Sequence, residues 1–271
     1  MKRTTAFAGA ILVLAALPAI GGGPLVAAHR GGAALWPENS LLAFRGALAL
    51  GVDALEFDLH LTRDGEVVVI HDATLERTTT ASGPVRDRTL AEIRSARIKA
   101  RDGTITDERV PTFAEVLELA RPNPVELLPE IKVGVDGQPY SGGEEKVLRL
   151  VRERGMMARV TIQAFQAPTI GRLRAAQPDV RTMFLVSRRR LDSERASPPD
   201  AVRWAREIGA SDLGMDFRVI DAAVVTAVRA AGLRLSAWTV NDESDIRRMI
   251  DLGVDVIMSD RPDLVRRLAG R

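Results

Sequence analysis

The feature that most narrows what this chain can fold into is a strand-then-helix alternation repeated eight times between residues 24 and 268. Apolar runs at 24–29, 52–60, 125–132, 159–165, 180–186, 211–215, 234–240 and 254–259 read as strands, and strands buried on both faces need such near-continuous apolar character. Segments 40–50, 112–120, 143–154, 167–176, 200–208, 221–231, 243–252 and 262–268 carry apolar residues at three- and four-residue spacing, the pattern of amphipathic helices. Gly51, Gly155, Gly209, Gly232 and Gly253 stand where five of these helices must stop, as C-cap glycines do. Eight such units over about 250 residues match the closed (β/α)₈ TIM barrel, an α/β fold. An open doubly wound sheet seldom needs so many. No composition break or long linker divides the chain after residue 23, so 24–271 reads as a single barrel domain.

One irregularity has a natural place on that barrel. After the second strand, Asp64-Gly65 reads as a two-residue hairpin turn, because Asp-Gly tolerates the positive φ angles such turns need. A return run follows at 66–71. A polar stretch at 73–111 then precedes the next helix, for which Thr112 is the expected N-cap. The segment from about 62 to 111 is therefore an elaborated loop/hairpin insertion after strand two, on the rim where barrels build their sites. A two-residue turn sets Arg63 against Glu66 and, counting back pairwise, His71 opposite Asp58.

Composition closes off several chemistries. The chain has no cysteine, which excludes disulfides, thiolate metal sites and cysteine nucleophiles, so any metal is held by oxygen or imidazole. Lys2 and Arg3, an apolar run from Ala6 to Ile20 and the small residues Gly21 to Gly23 follow the plan of a secretory signal. Residues 1–23 are expected to be a signal peptide that exports the protein, with an uncleaved membrane anchor as the alternative. Without Lys2 and Arg3, 36 basic residues face 36 acidic ones, and no concentrated basic surface points to a nucleic-acid partner. Arg188-Arg189-Arg190 leaves room for weak membrane-surface association, although a solvated run is the simpler reading. No obligate protein partner is implied.

In a barrel, chemistry collects at the C-terminal ends of the strands. Those ends carry His29-Arg30 on strand one, Glu56 and Asp58 on strand two, Glu130 and Lys132 on strand three, and Trp238 on strand seven. Glu56, Asp58 and Glu130 are oxygen donors that suit one hard divalent cation, Mg²⁺ or Ca²⁺. An isolated Glu-x-Asp is as common on a solvated strand face, and the matching spacing of Glu130-Ile131-Lys132 on the adjacent strand shifts the balance toward a site. His29 and His71 are suited to general acid/base work. His60, beyond the carboxylates on the same strand, reads as a packing or hydrogen-bonding residue. Arg30 and Lys132 supply positive charge for an anionic group or for the acids themselves. Asn39 either caps the first helix or bonds to the site. Trp238 is an apolar wall or a core residue, and Phe217 is similarly ambiguous.

These segments also carry a resemblance. His29-Arg30-Gly31-Gly32, Pro37-Glu38-Asn39-Ser40, Glu56-Phe57-Asp58 running on to Asp64-Gly65, His71-Asp72, Glu130-Ile131-Lys132, Trp238-Thr239-Val240-Asn241 and Ser259-Asp260-Arg261-Pro262 together resemble the glycerophosphodiester phosphodiesterases, over residues 26–266. The resemblance implies a barrel enzyme that hydrolyses small-molecule glycerophosphodiesters with a divalent metal, giving glycerol 3-phosphate and an alcohol. It further implies Glu56, Asp58 and Glu130 as metal ligands, His29 and His71 as the catalytic acid/base pair, and Arg30 and Lys132 as phosphate contacts. Two departures touch the head-group side: Ala164 stands where a serine is common, and Gln166 where an acid is frequent. The alternatives are a phospholipase D-like barrel enzyme acting on lysolipids and a catalytically silent phosphate-ligand binding protein.

Overall fold

The computed structural model describes residues 23–271, and all eight expected strands are present among them. They are β1 (Leu25–Ala28), β2 (Ala54–Leu61), β4 (Glu126–Ile131), β5 (Thr161–Ala164), β6 (Arg181–Val186), β7 (Asp212–Asp216), β8 (Arg234–Trp238) and β9 (Val256–Ser259), and all eight run parallel. A ninth strand, β3 (Val67–Val69), pairs antiparallel with the end of β2. β1 bonds to both β2 and β9, which closes the barrel. The expected leader or anchor at 1–23 lies outside the described residues except for Gly23. No described helix is long and apolar enough to cross a membrane.

The pleat of β2 shows how the barrel presents its chemistry. Leu55, Phe57 and Leu59 point outward, and the Phe57 ring sits between Phe44 at 5.5 Å and Phe113 at 5.8 Å. Those two rings come from α1 (Leu41–Leu50) and α3 (Phe113–Ala120). Burying a Phe contributes about 2–3 kcal/mol, so the outward face is firmly chosen. Alternation then sends Glu56, Asp58 and His60 inward. Both helices start where side-chain caps place them: Ser40 accepts from the Ala43 amide, and Thr112 forms a reciprocal capping box with Glu115. The interior is filled by Ala27, Ala54, Leu128, Met183, Val256 and Met258. The strand starts are tied together by Arg234, paired with Asp212 at 2.7 Å and Glu126 at 2.9 Å.

The hairpin differs from the two-residue reading. The Gly65 amide donates to the Thr62 carbonyl and the Thr62 amide to the Glu66 carbonyl, each at 3.0 Å, so Arg63, Asp64 and Gly65 form a three-residue loop. Gly65, at φ 79°, supplies the left-handed position that such a loop needs. Thr62 therefore faces Glu66, Leu61 pairs with Val67, and Ile70, not His71, lies opposite Asp58. The expected Arg63–Glu66 and Asp58–His71 pairings are each wrong by one residue.

The rest of the insertion is not simply a polar loop. Val68, Ile70, Leu75, Val85, Ile93, Ile98 and Val110 form a small apolar core of their own, and α2 (Leu90–Ser95) begins at a Thr89–Glu92 capping box. The remaining helices are α4 (Gly143–Glu153), α5 (Ala167–Ala176), α6 (Arg188–Glu194), α7 (Pro198–Glu207), α8 (Ala222–Ala230), α9 (Glu243–Leu252) and α10 (Pro262–Leu268). Only α2 and α6 have no counterpart in the periodicity. Arg190, on α6, bonds to Glu194 and to the Phe165 carbonyl and covers the Phe184 and Trp204 rings, so it is not part of a solvated run. Phe217 lies between the Arg218 and Arg248 guanidinium groups.

Candidate active site

All eight residues expected in the site (His29, Arg30, Glu56, Asp58, His71, Glu130, Lys132 and Trp238) line one cleft of about 100 Å³ at the C-terminal mouth of the barrel. Gln163, Phe165, Leu185, Thr239 and Met258 complete the lining. The turn after β1 is tight because three successive residues, Arg30, Gly31 and Gly32, have positive φ. A Cβ on Gly31 would come within 2.8 Å of the Ala43 Cβ, so glycine is needed there for space as well as for conformation. The turn aims the Arg30 amide at Glu56 Oε2, 2.8 Å away, and its guanidinium at Glu38 and Asp58.

Glu56, Asp58 and Glu130 are all buried, and each offers an oxygen within 4.8 Å of the others. The β2–β4 register, with Asp58 level with Glu130, brings them together. Burial of so much negative charge is costly unless it is compensated. Burial, with Asp58 and Glu130 nearby, pushes the Glu56 carboxyl up to about 7, and burial also raises Glu130. Burial works against Asp58 too, but Lys132, His71 and Arg30 outweigh it and hold that carboxyl well below the usual range. The Lys132 ammonium sits 2.8 Å from Glu130 and 3.2 Å from Asp58. Arg30 and Lys132 thus balance the acids while also lining the cleft. Three convergent carboxylate oxygens without thiolates fit a single divalent cation.

Each candidate catalytic histidine is anchored through Nδ1 to a carboxylate. His29 Nδ1 is 2.6 Å from Asp260 Oδ1, and His71 Nδ1 is 2.6 Å from Asp72 Oδ1. Burial disfavours the His29 imidazolium, but Glu56 and Asp260 raise its pKa overall; burial lowers that of His71. With both Nδ1 atoms engaged, Nε2 remains as the nitrogen able to exchange a proton in the cleft, and His29 Nε2 lies 3.9 Å from Glu56. His71 reaches the site despite the shifted register because β3 ends at Val69, and beyond it the pleat no longer dictates which side the chain faces. His60 is buried and bonded to Tyr140 and to the His71 carbonyl. Burial lowers its pKa to about 4, leaving the ring neutral near pH 7.

Several supporting residues were not singled out by the strand-end reading. Asp260 follows the last residue of β9, and Asn241 holds it by donating to Oδ2 at 2.8 Å. Gln163, level with Glu130 on β5, donates to Glu56 at 2.9 Å; the alternation of Gln163-Ala164-Phe165 was the available signal. Asn39 donates to Asp58 at 2.8 Å, while Ser40 takes the capping role, which settles the two roles considered for Asn39. Arg77, in the insertion, bridges Glu38 and Asp72. Trp238 packs edge-on against Phe165 at 5.5 Å, whereas Ala164 is fully buried and outside the cleft lining. Gln166 precedes α5 as its N-cap residue.

A closed barrel with buried oxygen donors, paired basic groups and carboxylate-anchored histidines at its mouth is the arrangement of a hydrolase site able to hold a divalent cation and an anionic substrate. The comparisons narrow that class: residues 29–264 match the model of the glycerophosphoryl diester phosphodiesterase family, and the chain belongs to it. A glycerophosphodiester phosphodiesterase of Caldanaerobacter subterraneus is 34% identical over 245 residues, spanning 90% of this chain and 97% of its own. Among solved structures, a glycerophosphodiester phosphodiesterase of Agrobacterium tumefaciens superposes with a TM-score of 0.75 at 28% identity, covering 92% of this chain and all of its own. An Oleispira antarctica phosphodiesterase in complex with the product sn-glycerol-3-phosphate gives 0.77 at 26%, covering 92% of this chain and 98% of its own. The chain is an enzyme, a phosphodiesterase of this family.

Proposed function

We propose that the enzyme hydrolyses glycerophosphodiesters to glycerol 3-phosphate and an alcohol. In this reading Glu56, Asp58 and Glu130 hold one divalent cation, Mg²⁺ or Ca²⁺, and His29 and His71 transfer the protons. The observation that carries it is the convergence of two carboxylate-anchored imidazoles on the same cleft as the three carboxylates. Binding a phosphate ligand needs donors but no such proton-transfer pair. The cation, when bound, neutralises phosphate charge and polarises the phosphorus centre.

The protein's own groups account for the rest. Arg30 and Lys132 offer positive charge to the phosphate oxygens, and the Phe165–Trp238 pair forms an apolar wall for the glycerol carbons. By likeness to the family, the substrate's glycerol 2-hydroxyl attacks phosphorus. Its O–P bond forms as the bond to the departing alcohol oxygen breaks, one histidine Nε2 takes the hydroxyl proton, and the other protonates the alcohol. Water then opens the cyclic phosphate by the reverse proton movements. The likeness to the Oleispira antarctica protein, solved with sn-glycerol-3-phosphate, supports the assigned product. The test is to strip the enzyme with chelator and restore it with single metals on a panel of glycerophosphodiesters, with lysolipid as the comparison substrate. Restored release of glycerol 3-phosphate supports the proposal. Failure of every metal, or turnover of lysolipid alone, overturns it.

A further inference from the structure

His60 is the one histidine that the proton-transfer scheme leaves unused, yet it is buried inside the barrel two positions beyond Asp58. Its Nε2 lies 3.1 Å from the main-chain carbonyl oxygen of His71, and its Nδ1 lies 2.7 Å from the Tyr140 hydroxyl. A carbonyl can only accept, so Nε2 carries the hydrogen; Nδ1 of the neutral ring then accepts from the Tyr140 hydroxyl. The rings also meet edge-to-face, with centroids 5.7 Å apart.

This bond matters because of where His71 sits. The β2–β3 ladder ends before it, the neighbouring Ile70 amide is the last to bond back to β2, and among the described residues His60 makes the one hydrogen bond to the His71 main chain. Asp72 fixes how the His71 ring is turned; it does not fix where the Cα stands. Tyr140 belongs to the segment between β4 and α4 that also begins with Lys132, so the Tyr140–His60–His71 chain ties two loops of the rim through one barrel strand.

We propose that His60 is a positioning residue that sets the His71 main chain at the depth required for proton transfer, with Tyr140 fixing the tautomer of His60. The inference rests on the reading of His71 as a proton-transfer residue. An apolar side chain would fill the same space but leave the His71 carbonyl without its donor. Displacement of a catalytic group by about 1 Å can cost up to about 100-fold in rate.

The test compares His60→Leu, His60→Gln and Tyr140→Phe, assayed with glycerophosphocholine at saturating cation. His60→Leu should lower kcat about 10-fold or more with KM within about threefold, and calorimetric binding of Mg²⁺ or Ca²⁺ should be unchanged. His60→Gln, whose amide can still donate to the His71 carbonyl, should recover most of that kcat. Tyr140→Phe should lower kcat about fivefold, again without a matching change in KM, and it carries the test alone if the Leu variant fails to fold. Three results overturn the proposal: kcat within twofold of wild type in both His60→Leu and Tyr140→Phe, a Leu defect that tracks lost cation affinity, or a Leu defect that Gln does not relieve. His71→Ala separates the two levels. An active His71→Ala removes the underlying reading, whereas an inactive one beside fully active His60→Leu and Tyr140→Phe removes only the role of His60.

Discussion

His29 donates from Nδ1 to Asp260 Oδ1 at 2.6 Å, linking residues 231 positions apart in the chain. β1 and β9 are neighbours in the closed barrel, so closure itself delivers the carboxylate to the ring. Asn241 then holds Asp260 from both sides, donating through Nδ2 and accepting the Asp260 amide through Oδ1 at 2.9 Å. Replacing Asp260 with alanine frees the imidazole to rotate and to change tautomer. Steady-state kinetics should show kcat lower by about 10- to 100-fold with KM nearly unchanged and circular dichroism intact. A loss confined to KM would contradict an orienting role.

His29→Ala and His71→Ala test the proton-transfer pair directly. General acid/base assistance contributes about 10²- to 10⁴-fold, and each substitution should remove at least the lower figure. Cooperative thermal unfolding should persist in both, since neither side chain belongs to the apolar core. Near-wild-type turnover in either variant would eliminate that residue from the pair.

Cation binding should register in stability as well as in rate. A ligand at about 100 times its Kd adds about 2.7 kcal/mol, equivalent to a rise in Tm of about 5–10 °C for a domain of this size. Chelated wild-type enzyme should gain that increment on addition of Mg²⁺ or Ca²⁺, and Glu130→Gln, which removes one carboxylate of the cluster, should gain much less. Equal gains in the two proteins would place the cation elsewhere.

The barrel was legible from sequence because its strands are apolar runs and its helices amphipathic, two signals that reinforce each other over eight repeats. The carboxylates were legible for the same reason, since Glu56, Asp58 and Glu130 interrupt apolar runs at strand ends. The hairpin was not. Asp64-Gly65 suits a two-residue turn as well as the end of a three-residue loop, and only the bonds from Thr62 to Gly65 and Glu66 separate the two. Asp260 and Asp72 stood in the motifs of the resemblance but without a role, and Arg77 did not stand out at all, because an acid or arginine beyond the end of a strand looks like an ordinary loop residue until tertiary contacts give it a partner.

Phe57→Ala probes the outward face of β2 on which the inward carboxylates depend. The ring is fully buried between two aromatic neighbours, and its removal should destabilise the protein by about 3–5 kcal/mol in chemical denaturation. Phe57→Leu keeps most of the volume and should lose considerably less. Activity per folded molecule should fall little in the Leu variant, because the pleat still directs Glu56 and Asp58 inward.

Arg77 bridges Glu38, in the turn after β1, to Asp72 beside His71, so it joins the barrel to its insertion. Hydrogen bonding to Arg77 is the leading cause of the depressed Asp72 pKa. At Glu38, burial pulls upward, but bonds from Arg77 and the charge of Arg30 prevail and hold the carboxyl below its usual value. Groups with depressed folded pKa values contribute their full stability above the unfolded values near 4 and lose it as pH falls through the lower folded values. Because Arg77 is about half exposed, solvent screening limits the contribution to about 1 kcal/mol. Arg77→Met should therefore be less stable than wild type by about that amount at pH 6–7, with the gap narrowing below about pH 4. A gap that stays constant down to pH 2 would assign the loss to packing of the arginine stem in place of its charge.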